Sequence, residues 1–340
     1  MFKGIKKFML VALALVLVFN LVACSSGDDN EGSKTPTDNS KEPIVLRLAE
    51  NQPDNNPVTI AMKKFAELVD EKTNGEVNIE VYANAELGEE SDNIEQVQAG
   101  ALDMARVNSV SLAQTVKELN VFTLPYIFTS QEHKYEVLDG EIGQSVLAKF
   151  EEYDLVSFGY LEAGSRNFYT TKKPIKSLED LKGQKIRVQP SEVSIQMAEL
   201  LGAVPTPMNY GEVFSALQTG VIDGAENDFV SFYTSGHYEV AKHITLDEHL
   251  SPPALIIMSK QVWDGLSPEH QEAIREAADE ATEFERKAMN DFQGESRAEV
   301  EKAGVTVYEV NVKEFQDAVA PIYDSYPEFK DIIDKIRSMN

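Results

Sequence analysis

Residues 98–105 read QAGALDMA and residues 218–225 read QTGVIDGA, so one pattern returns 120 positions later in the same chain. Each copy follows apolar residues at helical spacing, Ile94 and Val97 before the first, and Val213, Phe214 and Leu217 before the second. The glycine marks a helix end, because a left-handed residue there closes the last turn without a Cβ clash. A strand then starts, and polar residues follow it: Arg106 and Asn108 in one copy, Asn227 and Asp228 in the other. Two related lobes, each delivering a strand end to a shared cleft, account for this echo. In open α/β sheets the carboxyl ends of strands are where ligands bind.

Working outward, Ile44–Ala49 is an apolar run of strand length. Val58, Met62, Phe65 and Val69 recur at helical spacing, and Asn74-Gly75 ends that helix. Val77, Ile79 and Val81 then alternate with polar residues. Strand, helix and strand in this order predict a mostly parallel sheet faced by helices. Further strands are expected at residues 104–107, 155–160, 185–188, 221–225, 255–258 and 305–310. Ser267-Pro268-Glu269 carries a capping serine and a first-turn proline, and predicts a long helix to about Ala303, with Gly294 a candidate kink.

The 340 residues carry 57 acidic and 31 basic side chains, a formal charge of −26. Such a body is repelled by nucleic acid and by anionic lipid. If its ligand is an anion, it must build a local positive spot. Residues 164–191 (GSRNFYTTKKPIKSLEDLKGQKIRVQPS) place Arg166 and Arg187 beside predicted strand ends. A guanidinium presents a planar fork that grips a carboxylate bidentately, which lysine cannot imitate. With the amide of Asn227, these forks suggest a pocket for a small organic anion.

At the N-terminus, Lys3, Lys6 and Lys7 precede an apolar run from Phe8 to Val22, interrupted only by Asn20. The run suits an export signal and is short for a spanning helix, which needs ~20 residues. Leu21-Val22-Ala23-Cys24 resembles a lipoprotein cleavage site, with lipid on the Cys24 sulfur. Loss of residues 1–23 removes the three lysines and takes the charge from −26 to −29. Cys24 is the only cysteine, so no disulfide and no cysteine metal cage can form within one chain. Residues 24–43 lack apolar periodicity and read as a flexible tether.

Six segments in order resemble the solute-binding subunit of tripartite ATP-independent periplasmic (TRAP) transporters, the DctP family. They are AELGEESDNIEQVQAGALDMA, LNVFTLPYIF, GSRNFYTTKKPI, DLKGQKIRVQ, GAVPTPMNYGEVFSALQTGVIDGAEND and WDGLSPEHQEAIREAA, spread between about Ile44 and Gly304. The resemblance implies an α/β, two-lobed periplasmic-binding-protein-like fold with a long hinge-spanning helix. Lobe I would comprise residues 44–163 plus 252–291, and lobe II residues 164–251 plus 292–340. Arg187 matches the family arginine that pairs with the ligand carboxylate, Arg166 a second arginine that supports it, and Asn227 an asparagine bonded to it. Asn51 matches a position touching the rest of the ligand, Tyr210 an aromatic lining position, and Asn108 and Gln189 complete the expected set. Asn108 stands where sialic-acid-binding members carry an acidic residue, and RVNS, GSRNFY and RVQPS look like the members that bind hexuronates and aldonates. The implied partner is a two-part membrane permease, with the protein a lipid-tethered extracytoplasmic monomer that needs no cofactor. A C4-dicarboxylate or 2-oxo acid is the alternative ligand, and a sensor feeding a membrane kinase the alternative role.

Other residues have plainer readings. His133, His237, His243, His249 and His270 lie at no metal-ligand spacing, so no metal is expected. GxSxG, HExxH, P-loop and GxGxxG motifs are absent, and no catalytic residue is proposed. Tyr160, Phe168, Tyr169, Phe229, Phe232 and Tyr233 read mostly as core, Trp263 as a packing anchor, Asp228 as turn chemistry and Glu50 as a solvated rim carboxylate.

Overall fold

The computed structural model describes residues 42–339. Cys24, the export signal and nearly all of the tether lie outside the described residues. In chain order the first strands are β1 (Ile44–Ala49), β2 (Val77–Tyr82), β3 (Met104–Asn108), β4 (Leu155–Leu161), β5 (Asn167–Thr170) and β6 (Lys185–Val188). They are followed by β7 (Val204–Pro207), β8 (Gly224–Asn227), β9 (His243–Leu246), β10 (Ala254–Ser259) and β11 (Thr306–Glu309). They form a five-stranded sheet, β2-β1-β3-β10-β4, and a six-stranded sheet, β11-β9-β5-β8-β6-β7.

Each sheet is parallel except for one strand. β10 runs antiparallel to β3 and β4, and β5 antiparallel to β8 and β9. These are the two strands that enter a sheet directly from the other one. Without a crossover helix to reverse the chain, direct entry gives an antiparallel neighbour. The two connecting segments also hold each other, since the Arg166 N–H donates to the Leu250 carbonyl at 2.7 Å.

The sequence echo is a structural echo. The Glu90–Gln98 and Val213–Thr219 helices both lead to a left-handed glycine, Gly100 at φ +71° and Gly220 at φ +75°. Ala101 N–H then reaches the Gln96 carbonyl at 2.8 Å, and Val221 N–H the Ala216 carbonyl at 3.0 Å. Asp103 accepts the Arg47 N–H at 2.8 Å, and Asp223 accepts the Lys185 N–H at 2.9 Å. Each aspartate thus seats its turn on a neighbouring strand of its sheet. This corrects the expected strand at 221–225. Residues 221–223 form the turn, Val221 is exposed, and β8 starts at Gly224.

Three strands escaped the sequence reading, namely β5, β7 and β9. β7 (VPTP) holds two prolines and survives because it lies on a sheet edge.

Pro268–Lys302 is one unbroken helix of 35 residues, through Gly294 and about 50 Å long. The Ser267 hydroxyl caps it by accepting the His270 N–H at 3.2 Å. Its buried stripe, Ile274, Ala277, Ala278, Ala281, Glu285, Met289, Ser296 and Val300, recurs mostly at three- and four-residue spacing. The alanines let the Pro57–Lys72 helix of the first sheet approach closely, and the distal half packs on the Phe229–Thr234 helix of the second. Midway, the buried Glu285 carboxyl accepts the Glu162 N–H at 2.8 Å. Burial pushes Glu285 well above the usual carboxylate range. Glu162 itself receives Lys134 Nζ at 2.5 Å and the Gly164 N–H at 2.7 Å, where the chain leaves the first sheet. The last helix, Lys330–Arg337, returns to the first-sheet side, with the Ile336 carbonyl 3.0 Å from His133 Nε2.

Gly220→Ala is expected to cost about 1–2 kcal/mol through its left-handed backbone alone, because the new methyl would meet nothing within 4 Å. Gly100→Ala is expected to cost that much plus a small increment, because its methyl, 2.9 Å from Gln261 Oε1, needs only the end of that flexible side chain to shift. Urea unfolding of the two variants measures the difference.

Candidate functional site

The carboxyl ends of β1, β3, β6 and β8 converge on one cavity of about 140 Å³ between the two sheets. Arg187, Arg166, Asn227, Asn51, Asn108, Tyr210 and Gln189 all line it, so the structure brings together every site residue expected from sequence. Cys24, the expected lipidation site, lies outside the described residues.

Arg187 projects from β6 and is buried. Its Nε and Nη2 both donate to the Met208 carbonyl, at 3.0 and 2.9 Å, and its guanidinium lies 5.8 Å from the Tyr210 ring centre. Among the described residues no carboxylate pairs with it and nothing accepts from its Nη1. Burial above all disfavours the charge on Arg187; Glu226 favours it and Arg166 opposes it, and the balance is a lowered pKa. A buried guanidinium with an open edge is a seat for an anion.

Arg166 is spent differently. Its Nε and Nη2 grip the Glu226 carboxylate, with Nη2 at 2.9 Å from Oε1, and Nη1 donates to Asn227 Oδ1 at 2.8 Å. Glu226 is held to about 2 despite burial, because Arg166 and His249 both favour its charge. Behind it, His249 Nδ1 lies 2.6 Å from Asp247 and its Nε2 3.5 Å from Glu226. Against the cost of burial, Asp247 and Glu226 raise His249 to about 9. The result is a row of alternating charges, Asp247, His249, Glu226 and Arg166, that ends on Asn227. Arg166 therefore acts on the cavity chiefly through Asn227.

The three asparagines share a logic. Asn227 Oδ1 accepts from Arg166 and from the Asp228 N–H at 3.0 Å. Asn51 Oδ1 accepts from Arg106 Nη2 at 2.9 Å, and Asn108 Oδ1 caps a helical turn by accepting the Val110 N–H at 3.0 Å. With each oxygen tied to protein donors, the amide N–H₂ is what each offers the cavity. Gln189 supplies the reverse, a buried Oε1 with no partner among the described residues. Tyr210 OH is anchored to Ser235 Oγ at 2.6 Å.

Sequence reasoning missed Arg106 and the first-sheet carboxylates. Arg106 grips Glu50, with Nε at 2.7 Å from Oε2, and its Nη1 stands 3.5 Å from Glu90. Glu50 is thus no solvated rim group, for it is 1% exposed and paired. The echo held the signal: Arg106 occupies the position that Glu226 takes 120 residues on, and both end a strand in a buried ion pair. Asp228 is turn chemistry as read, capping the Ser231 N–H at 3.0 Å. Among the described residues no cluster of potential metal ligands occurs.

The His249 charge is stabilising in full below pH 6.5, and its contribution is lost as pH rises through about 9. His249→Gln is expected to be less stable than the parent below pH 6.5. The gap should narrow between pH 6.5 and 9, as read by thermal unfolding across that range.

The chain matches a family described as bacterial extracellular solute-binding protein, family 7 (DctP), over residues 48–329. It is 40% identical over 282 residues to a solute-binding protein of Chromohalobacter salexigens, covering 82% of this chain and 84% of that one. Among solved structures, it is similar to a TRAP periplasmic solute binding protein from Xanthobacter autotrophicus with bound β-D-galacturonate. That pair shares 42% identity and a TM-score of 0.85, over 87% of this chain and 100% of the other. A TRAP protein from Chromohalobacter salexigens with bound D-glucuronate is 38% identical, with a TM-score of 0.85 over 87% of this chain and 100% of that one.

Proposed function

The chain belongs to the DctP family of TRAP transporter solute-binding proteins, and we propose that it captures a sugar acid, a hexuronate or related aldonate, for delivery to a membrane permease. The observation that carries this reading is Arg187, a buried guanidinium with no carboxylate partner among the described residues and an open edge on the cavity. The ligand carboxylate docks there, and Asn227, braced by Arg166, donates a further hydrogen bond to it. Asn51 and Asn108 donate to the sugar oxygens from the first sheet, while Gln189 Oε1 accepts from the hydroxyls and Tyr210 lines the cavity. The bound galacturonate and glucuronate of the two similar TRAP proteins support the same class.

Capture works by closure. A ligand stabilises the closed form only through its extra contacts there, and this cavity draws its lining from both sheets. Residues 44–163 plus 252–291 form one moving lobe and residues 164–251 plus 292–329 the other, while the last helix, expected from sequence in the second lobe, is bonded to the first through Ile336 and His133. The protein works outside the cytoplasm as a monomer, tethered through lipid on Cys24, and performs no catalysis.

A thermal-shift screen of the purified protein tests the ligand class, using hexuronates, aldonates, C4-dicarboxylates, 2-oxo acids and neutral sugars. Ligand at ~1,000 times its Kd adds about 4 kcal/mol of stability. A rise with sugar acids and none with neutral sugars is expected; a response to dicarboxylates or oxo acids alone would replace the ligand class and keep the arginine seat. Arg187→Lys retains the charge and loses the fork, so calorimetry should show affinity falling on the order of a hundredfold. Near-normal affinity in that variant would sink the assignment of Arg187.

A further inference from the structure

Glu89 lines the same cavity as Arg187, from the first-sheet side. It precedes the Glu90–Gln98 helix of the first sheet, and its Oε1 accepts the Gly211 N–H of the second-sheet side at 3.2 Å. A Cβ at residue 211 would lie 2.5 Å from the same oxygen, so in an alanine variant the end of the Glu89 side chain would have to shift. Glu90 lies beside it on this wall, with Glu95 at the exposed edge. Glu90 is already committed to the Asn108 N–H at 3.1 Å, the Ser111 hydroxyl at 2.8 Å and Arg106 at 3.5 Å. Beyond the backbone N–H groups of Gly211 and Tyr210, no side-chain donor reaches Glu89 among the described residues, so part of its carboxylate is left as an acceptor on the cavity. The cavity is therefore polarised, with Arg187 on one wall and Glu89 and Glu90 on the other.

We infer that Glu89 is a specificity-determining residue that admits hydroxyl donors at the far end of the ligand and rejects a second carboxylate there. The inference rests on the sugar-acid reading above. With one carboxylate seated on Arg187, the far end of the ligand meets the Glu89 wall. A hydroxyl there donates to Glu89. A carboxylate has no proton to give and adds a third negative charge to a pair already present, in a space with little water to screen it. The protein thus separates an aldonate from the aldarate that differs from it only in the oxidation of its terminal carbon.

Isothermal calorimetry with D-galactonate and galactarate on the parent, Glu89→Gln and Gly211→Ala tests this. The parent should bind galactonate and reject galactarate. Glu89→Gln keeps an oxygen for the Gly211 N–H and removes the charge, so galactarate should gain on galactonate by on the order of tenfold or more. Gly211→Ala shifts the Glu89 carboxylate and keeps its charge, so the preference for galactonate over galactarate should persist there while Glu89→Gln loses it. An unchanged ratio in Glu89→Gln, or a parent that binds both acids alike, overturns the inference while leaving the sugar-acid reading in place. A parent that binds no aldonate or hexuronate overturns that reading, and this inference falls with it.

Discussion

An unpaired guanidinium in an acidic protein is the constraint on which the rest depends. With 57 carboxylates in the chain, Arg187 could readily be neutralised from within. The fold limits this by committing the carboxylates behind the site elsewhere. Glu226 is held by Arg166 and His249, and Asp247 by His249 and the Phe168 N–H. Stripping water from a lone buried charge is costly, and Arg187 meets that cost with one backbone carbonyl and the face of Tyr210. The deficit that remains is what an incoming anion relieves. A site built this way is stable enough to fold empty and still has something to gain from its ligand.

The same device appears in opposite polarity on the first sheet. There the strand carries the arginine, Arg106, and the carboxylate of Glu50 comes from the neighbouring strand end. On the second sheet the strand carries the carboxylate, Glu226, and the arginine comes from the adjoining segment. Both pairs fix an asparagine, Asn51 in one case and Asn227 in the other, by occupying its oxygen. Two lobes with a common plan therefore present matching amide donors from opposite walls, although the charges that orient them are exchanged.

Local chemistry was legible in the sequence, and long-range pairing was not. The echo at Gly100 and Gly220 could be read because a left-handed glycine after a helix, and the aspartate three residues on, act within a single turn. The long helix was equally plain, since Ser267, Pro268 and the alanine stripe declare it. β5 and β9 were not read as strands, and β7 stayed hidden because two prolines argue against a strand. Arg187 and Asn227 were found through their surroundings in motif segments. Glu50 was misread because its burial depends on Arg106, which arrives 56 residues later. His249 likewise means nothing locally, and becomes an imidazolium only when Glu226 and Asp247 are folded around it.

Arg166 has two attachments that differ in kind. Its backbone joins Leu250 where the chain passes between the sheets, and its side chain steadies the amide beside Arg187. The proposed anchor for the anion thus lies close to the segments that join the two sheets, as a load placed near an axle. When one sheet turns against the other, atoms near that line travel little and atoms far from it sweep through a wide arc. The charged end of a cargo can stay seated while the opposite wall swings away. Descendants of this chain can then change cargo by altering the outer wall alone, leaving both the seat and the axle as they are.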